Sequence, residues 1–129
     1  MNQHAAIKNK KIRAEFILKF ALDKSDLKYH LEQSKDEKSK SYDYKIINES
    51  NSRSLYVELK VIKIKLASKY INDYKKNFYN PSMGNVLFLC VDDEENLISW
   101  IKINNKSIKE KSNNDFRDLV KSLKDDLSG

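Results

Sequence analysis

A glutamate and a lysine, Glu58 and Lys60, flank Leu59 in the most regular strand pattern of the chain. Apolar and polar residues alternate from Leu55 to Ile64, so the two charged side chains are expected on one face of a strand. The tripeptide alone is weak evidence, because four other acidic residues in this highly charged chain also stand two positions before a lysine. Its position inside a strand is what sets the Glu58 tripeptide apart.

Two further acidic residues could complete a site with Glu58. Asp43 lies in the preceding predicted strand, and a symmetric hairpin would bring it opposite or diagonal to residues 57–60. Glu15 interrupts an apolar stretch of the first predicted helix, and we expect it at the border of the buried face. Adjacent carboxylates are costly to bury unless a cation lies between them, and Mg²⁺ prefers oxygen ligands. The pattern therefore predicts a metal site.

The elements that must position these residues follow from the periodicity of the apolar residues. A polar stretch, residues 32–41, has no periodicity and predicts a mobile loop, and residues 1–10 predict a basic tail. The predicted order is αβββαββα in a single domain, residues 1–129, which is an α/β fold with a central mixed sheet flanked by helices. The elements are a helix from Lys8 to Leu22, strands near 27–31, 42–47 and 55–64, a helix from Lys65 to Tyr79, strands 86–91 and 97–103, and a last helix to about Leu127.

Composition excludes several classes of site. The two glycines, Gly84 and Gly129, cannot form a glycine-rich phosphate loop, and one cysteine and two histidines are too few for a structural zinc site. The segment before residue 12 lacks the apolar core of a signal peptide, and no stretch reaches the length that spans a bilayer. We expect a soluble cytoplasmic protein without membrane contact. A net charge of +6 favours a nucleic-acid partner, although a lysine- and asparagine-rich composition also fits an AT-biased genome.

In these residues and this order, the chain resembles the PD-(D/E)xK, or restriction-endonuclease-like, nuclease superfamily. The family pattern is an acidic residue on an N-terminal helix, an Asp on one strand, Glu-x-Lys on the next strand and then a helix. Glu15, Asp43 and Glu58-Leu59-Lys60 match it within about residues 8–103. The size and the first helix are similar to those of archaeal Holliday-junction resolvases. Tyr42 replaces the name-giving proline, at a position that varies within the superfamily.

The resemblance implies a Mg²⁺-dependent nuclease that hydrolyses phosphodiester bonds in DNA. We expect Mn²⁺ to substitute for Mg²⁺, and the cleavage to be endonucleolytic. Asp43, Glu58 and the Leu59 backbone carbonyl would hold the metal, and Glu15 would bind it directly or through water. Lys60 would orient or help deprotonate the attacking water. DNA is a better match than RNA, and a homodimer or a larger complex would enlarge the small binding surface. Basic residues that could contact phosphates are Lys8, Lys10, Lys11, Arg13, Lys63 and Lys65.

Other interpretations remain open from the sequence. The chain could be a catalytically inactive, nuclease-like module for nucleic-acid binding or complex assembly, or a basic protein-interaction domain. Glu58 and Lys60 could then lie on a solvated strand face, and the basic residues on a solvated helix face. The remaining notable residues favour structural roles: Tyr70, Tyr74 and Phe78 as a packing stripe, Trp100 and Cys90 as core, His30 as a surface residue, and residues 92–95 as a charged hairpin tip.

Overall fold

A computed structural model describes residues 3–34, 42–92, 94–104 and 113–128, with side chains in the first helix described from Ile12 onward. The α/β class and the predicted order αβββαββα are confirmed. Two short 3-10 turns, Ile64–Leu66 and Pro81–Met83, flank the second helix. The elements are α1 (Gln3–Lys24), β1 (Tyr29–Gln33), β2 (Tyr44–Asn48), β3 (Ser54–Val61), α2 (Ala67–Asn77), β4 (Val86–Asp92), β5 (Leu97–Ile103) and α3 (Phe116–Leu127).

Two boundaries differ from the prediction. The helix α1 begins at Gln3, within the segment expected to be a basic tail, so it is longer than the predicted helix. Glu32 and Gln33 belong to β1, whereas residues 35–41 of the predicted mobile loop lie outside the described residues. In the part of the chain that is described, no helix is long and apolar enough to cross a membrane.

The described strands form one mixed, open sheet in the order β1-β2-β3-β4-β5. The pair β3 and β4 is parallel, and every other neighbouring pair is antiparallel. The crossover between the two parallel strands contains α2, as parallel pairing requires. All seven residues of β4 are buried, which agrees with its uninterrupted apolar run. The sheet therefore has its most buried strand directly beside β3, which carries Glu58.

Helices cover both faces of the sheet. We call the side covered by α1 and α3 the α1–α3 face, and the opposite side the α2 face. The core of the α1–α3 face consists of Ala14, Leu18, Ala21, Leu22, Ile46, Leu55, Val57, Leu59, Leu87, Leu89, Val91, Trp100, Leu119, Leu123 and Leu127. The core of the α2 face consists of Ala67, Ile71, Tyr74, Val86, Phe88, Cys90, Ile101 and Ile103.

The side of α1 that packs on the sheet differs from the apolar stripe that the large residues suggest. Ile12, Phe16 and Phe20 are 59%, 66% and 45% exposed. The buried stripe contains Ala14 and Leu18 instead, followed by Ala21 and Leu22. Both stripes have helical spacing, and the small alanines allow the helix to approach the sheet closely. Periodicity alone therefore predicts the helix but does not select its buried side.

The interpretation of the α2 aromatic residues as a packing stripe is wrong for two of the three. Tyr70 and Phe78 are 37% and 44% exposed, whereas Tyr74 is 2% exposed and packs beside Ala67 and Ile71. The buried side of α2 carries Ala67, Ile71 and Tyr74, Tyr70 is turned by about 100° from Ile71, and Phe78 lies beyond the end of the helix at Asn77. The predicted core positions of Trp100 and Cys90 are confirmed.

The two ends of α3 are held by polar contacts. The side chain of Asp115 caps the N-terminus by accepting a hydrogen bond from the Arg117 backbone amide at 2.8 Å. At the C-terminus, the Leu127 carbonyl accepts hydrogen bonds from the Asn48 and Asn51 side-chain amides at 2.7 and 2.8 Å. These contacts attach α3 to the turn between β2 and β3, and so help to fix the hairpin that carries Asp43 and Glu58.

Candidate active site

The β2–β3 hairpin brings Asp43 directly against β3. The backbone amide of Asp43 donates to the Val57 carbonyl at 2.8 Å, and the Leu59 backbone amide donates to Asp43 Oδ2 at 2.8 Å. The Asp43 carboxylate thus takes the place of a backbone carbonyl as the acceptor for the Leu59 amide of β3, one residue before β2 begins at Tyr44. The expectation that Asp43 lies opposite or diagonal to residues 57–60 is confirmed.

Glu58 and Lys60 lie on the α2 face, and Leu59 points to the opposite face with 1% exposure. Glu58 is 5% exposed, so the interpretation of this residue as part of a solvated strand face is wrong. Its Oε1 atom lies 3.8 Å from Lys60 Nζ, and the Lys60 side chain is 36% exposed. The site thus combines one deeply buried carboxylate with a lysine whose side chain is partly exposed to solvent.

Tyr74 is a member of this group that the sequence interpretation assigned only to packing. Its ring centroid lies 5.3 Å from that of Phe88, and Phe88 is the register partner of Glu58 in the sheet. Burial, followed by the charges of Glu58 and Asp43, raises the pKa of Tyr74. The hydroxyl therefore stays protonated and lies near both carboxylates. The residue type could have indicated this position, because the hydroxyl of a buried tyrosine normally requires a polar partner, whereas a phenylalanine does not.

Glu15 occupies the border of the buried face of α1, as predicted, with its side chain 25% exposed. Its Oε2 atom accepts a hydrogen bond from the Tyr44 hydroxyl at 2.7 Å, and its Oε1 atom lies 2.9 Å from Lys19 Nζ. Burial acts to raise the pKa of Glu15, but the hydrogen bonds from Lys19 and Tyr44 and the charge of Lys19 outweigh it, so the pKa is lowered. Tyr44 follows Asp43 directly, and this links Glu15 to the Asp43 end of the hairpin.

The proposed phosphate contacts fall into three groups. Lys63 and Lys65 are exposed and follow the C-terminal end of β3, so they lie on the same chain segment as Lys60. Arg13 is exposed and donates to Asn96 Oδ1 at 3.2 Å, which places it near the β4–β5 hairpin. The side chains of Lys8, Lys10 and Lys11 lie outside the described residues.

Other polar residues near the ends of the strands have structural contacts. Asp92 Oδ2 accepts from the Ile64 amide at 3.2 Å, and Asp92 Oδ1 accepts from the amides of Glu94 and Glu95. These bonds agree with the interpretation of residues 92–95 as a charged hairpin tip. Burial raises the pKa of the Cys90 thiol to about 12, so this cysteine is not a nucleophile at neutral pH.

The donor set is compatible with a hard divalent cation. Asp43 and Glu58 supply carboxylate oxygens on neighbouring strands, and both lie near Tyr74. A buried carboxylate beside a second one gains from a cation held between them. Within residues 3–34, 42–92, 94–104 and 113–128, however, no group of three or more His, Cys, Asp or Glu side chains is arranged to hold a metal. The candidate ligands are therefore the two carboxylates and the Leu59 carbonyl.

Comparison with known proteins gives no match: no family model, curated protein or solved structure is significantly similar to this chain. The candidate site is therefore defined by its own geometry. Asp43, Glu58, Lys60 and Tyr74 are the residues that the fold brings together, whereas Glu15 contacts Tyr44 on the α1–α3 face, opposite the face of Glu58 and Lys60.

Proposed function

We propose that this chain is a divalent-metal-dependent nuclease of the PD-(D/E)xK type that cleaves DNA endonucleolytically. The observation that carries the proposal is the position of a buried Glu58 beside Lys60 on β3, next to Asp43, which directly precedes β2. The mixed sheet with helices on both faces, and α2 directly after the Glu-x-Lys strand, also supports a restriction-endonuclease-like arrangement.

The roles of the residues follow from their chemistry. Asp43 and Glu58, with the Leu59 carbonyl, would hold Mg²⁺ or Mn²⁺, which would lower the pKa of a bound water and neutralise charge on the phosphate. The Leu59 amide fixes the orientation of the Asp43 carboxylate. Lys60 would orient the attacking water and stabilise the negative charge that develops on the phosphate. Because Lys60 is held by one carboxylate at 3.8 Å, its ammonium group can turn towards a phosphate.

The test is cleavage of supercoiled plasmid in Mg²⁺ or Mn²⁺, with EDTA as the metal-free control. Asp43→Asn and Lys60→Gln are expected to abolish cleavage. The matched controls are Asp125→Asn and Lys121→Gln, which change the same residue types on the exposed surface of α3 and are expected to cleave normally. Metal-dependent cleavage that survives both site substitutions would refute the site assignment.

A second candidate is a catalytically inactive module that binds nucleic acid or assembles a complex. Two observations favour it: the Glu15 oxygens are engaged by Lys19 and Tyr44, and no group of three potential ligands occurs among the described residues. This alternative predicts salt-sensitive binding without cleavage of duplex, single-stranded or branched substrates. An absence of binding as well would leave a basic protein-interaction domain.

A further inference from the structure

Two tyrosines and a lysine lie together on the α2 face, immediately beside the candidate site. The ring centroids of Tyr42 and Tyr56 are 4.6 Å apart with planes inclined at 60°, and Lys45 Nζ lies 5.4 Å from the centroid of Tyr56. We call these three residues the tyrosine platform. Each of them is half-buried, so part of each side chain faces solvent.

The platform adjoins the proposed catalytic residues through the backbone. Tyr42 precedes Asp43 in sequence, and Tyr56 lies two positions before Glu58 in β3, so Tyr56 and Glu58 point to the same face. Lys45 is the register partner of Tyr56 across the β2–β3 hairpin. A nucleic-acid strand that approaches Glu58 along β3 from the Tyr56 end therefore passes the platform.

The helix α2 does not extend over this part of the sheet. The α2-face core draws its buried sheet residues from β4 and β5 and includes Tyr56 only at its margin. None of its described members comes from β1 or β2. Among the residues that the structure describes, the platform is therefore at the edge of the covered region, and an extended ligand can lie there on the sheet beside α2.

The chemistry of the platform fits a nucleic-acid strand. Aromatic rings stack on the faces of nucleobases, and a neighbouring lysine contacts phosphate. A base inside a duplex is already stacked on its neighbours and exposes only its edges, so stacking on a side chain requires an unpaired base. Lys45 and Lys60 are cations within reach of a phosphate on this face, although Glu32 is the register partner of Lys45 and Glu58 lies beside Lys60.

We propose that the tyrosine platform stacks an unpaired nucleobase of the substrate, so that the chain acts on single-stranded nucleic acid or on single-stranded segments of a larger one. This inference rests on the proposed nuclease function, because it locates the base next to the phosphate at Glu58. Tyr42 provides the outer ring, Tyr56 supports it, and Lys45 contacts the phosphate backbone.

Binding in EDTA tests the platform separately from catalysis. Fluorescence anisotropy would compare a short labelled single strand with the duplex of the same sequence. The native chain is expected to bind the single strand more tightly, and Tyr42→Leu is expected to weaken that binding by about 5- to 100-fold with little effect on the duplex. Lys45→Gln should weaken both and reduce the salt dependence by about one phosphate contact.

Two control variants either change an aromatic residue on the other side of the sheet or keep the aromatic ring of Tyr42. Phe16→Leu removes an aromatic residue from the exposed side of α1, and Tyr42→Phe retains the stacking surface. Both are expected to bind like the native chain. If Tyr42→Leu fails to fold, photocrosslinking of a halogenated pyrimidine oligonucleotide to the native chain replaces it, and a crosslink to Tyr42 or Tyr56 is expected.

The outcomes separate this inference from the proposed function. Native affinity in a folded Tyr42→Leu variant, or crosslinks confined to other residues, would overturn the platform while leaving the nuclease proposal intact. Equal affinity for single strand and duplex would also overturn it. Binding that depends on Tyr42 without any metal-dependent cleavage would support the platform and refute the nuclease. If the native chain binds neither oligonucleotide, the platform fails, and plasmid cleavage in Mg²⁺ or Mn²⁺ decides the nuclease proposal separately.

Discussion

Binding of a divalent cation between Asp43 and Glu58 should stabilise the folded chain, and Asp43→Asn should remove that effect. The unfolded chain has no preformed pair of carboxylates, so a metal that binds the native site shifts the equilibrium towards the folded state. The asparagine retains an oxygen that can accept the hydrogen bond now donated by the Leu59 amide at 2.8 Å. We therefore expect the variant to fold, and to lose the metal effect specifically.

The size of the effect follows from linkage. A metal concentration about 100 times the dissociation constant adds about 2.7 kcal/mol to the free energy of unfolding. An entropy of unfolding of about 2.1 cal/mol/K per residue gives about 0.27 kcal/mol/K for a chain of 129 residues. One kcal/mol therefore corresponds to about 4 °C in Tm, and the saturated site should raise Tm by about 10 °C.

The assay is thermal unfolding followed by circular dichroism, in EDTA and at increasing Mg²⁺ or Mn²⁺. The native chain and Asp125→Asn, an exposed carboxylate change on α3, should show the same metal-dependent rise in Tm. Asp43→Asn should melt at one temperature throughout the titration. An unchanged Tm for the native chain in both metals would refute the metal site, and an equal rise in Asp43→Asn would show that the cation binds elsewhere.

Three further results are expected. Because the pKa of Glu15 is lowered in the folded chain, its carboxylate stabilises the fold at pH values above its ordinary pKa of 4.5, and this stabilisation is lost as pH falls through the lowered pKa. Glu15→Gln should therefore reduce Tm at neutral pH but not in strong acid. Melting curves that show the same difference in Tm at both pH values would contradict this. Tyr74→Phe keeps the ring and removes the hydroxyl near the carboxylates, so the metal affinity measured by titration calorimetry should fall about 10- to 100-fold. An unchanged metal affinity would show that Tyr74 only packs in the core. Asn48→Ala removes the bond to Leu127 and the bond accepted from the Ser50 amide at 2.9 Å, while Asn51 still donates to Leu127. The free energy of unfolding measured in urea should therefore fall by about 2 kcal/mol, and plasmid cleavage should be unchanged. A loss of cleavage by the folded variant would implicate Asn48 in the site.

The order of the elements was predictable because each one has a distinct local pattern. The alternation in β3 and the uninterrupted apolar run of β4 correspond to a strand with two different faces and a strand buried on both. The position of Asp43 was also predictable, since a hairpin relates residues at equal distances from its turn. Local periodicity was sufficient for these features, because they depend on neighbours in the sequence.

The features that were missed depend on contacts between distant elements. Two apolar stripes on α1 have the same period, and only packing on the sheet decides that Leu18 is buried while Phe16 is exposed. The place of Tyr74 beside Glu58 depends on how α2 crosses from β3 to β4, which no pattern within α2 specifies. The contacts of Glu15 with Lys19 and Tyr44 combine a helix-local ion pair with a bond to a strand 29 residues away.

Burial, rather than the tripeptide itself, distinguishes Glu58 from Asp26 and Asp73, which also precede a lysine by two positions. Asp26 is exposed at a turn, and Asp73 is exposed on α2, so their charges remain hydrated at little cost in folding free energy. Glu58 is 5% exposed, and its Oε1 atom lies 3.8 Å from Lys60 Nζ. Removing a carboxylate from water opposes folding, so the contacts around Glu58 must offset that cost. A divalent cation held between Glu58 and Asp43 would add to the contacts that offset this cost, and the Tm titration of the native chain and Asp43→Asn measures that contribution.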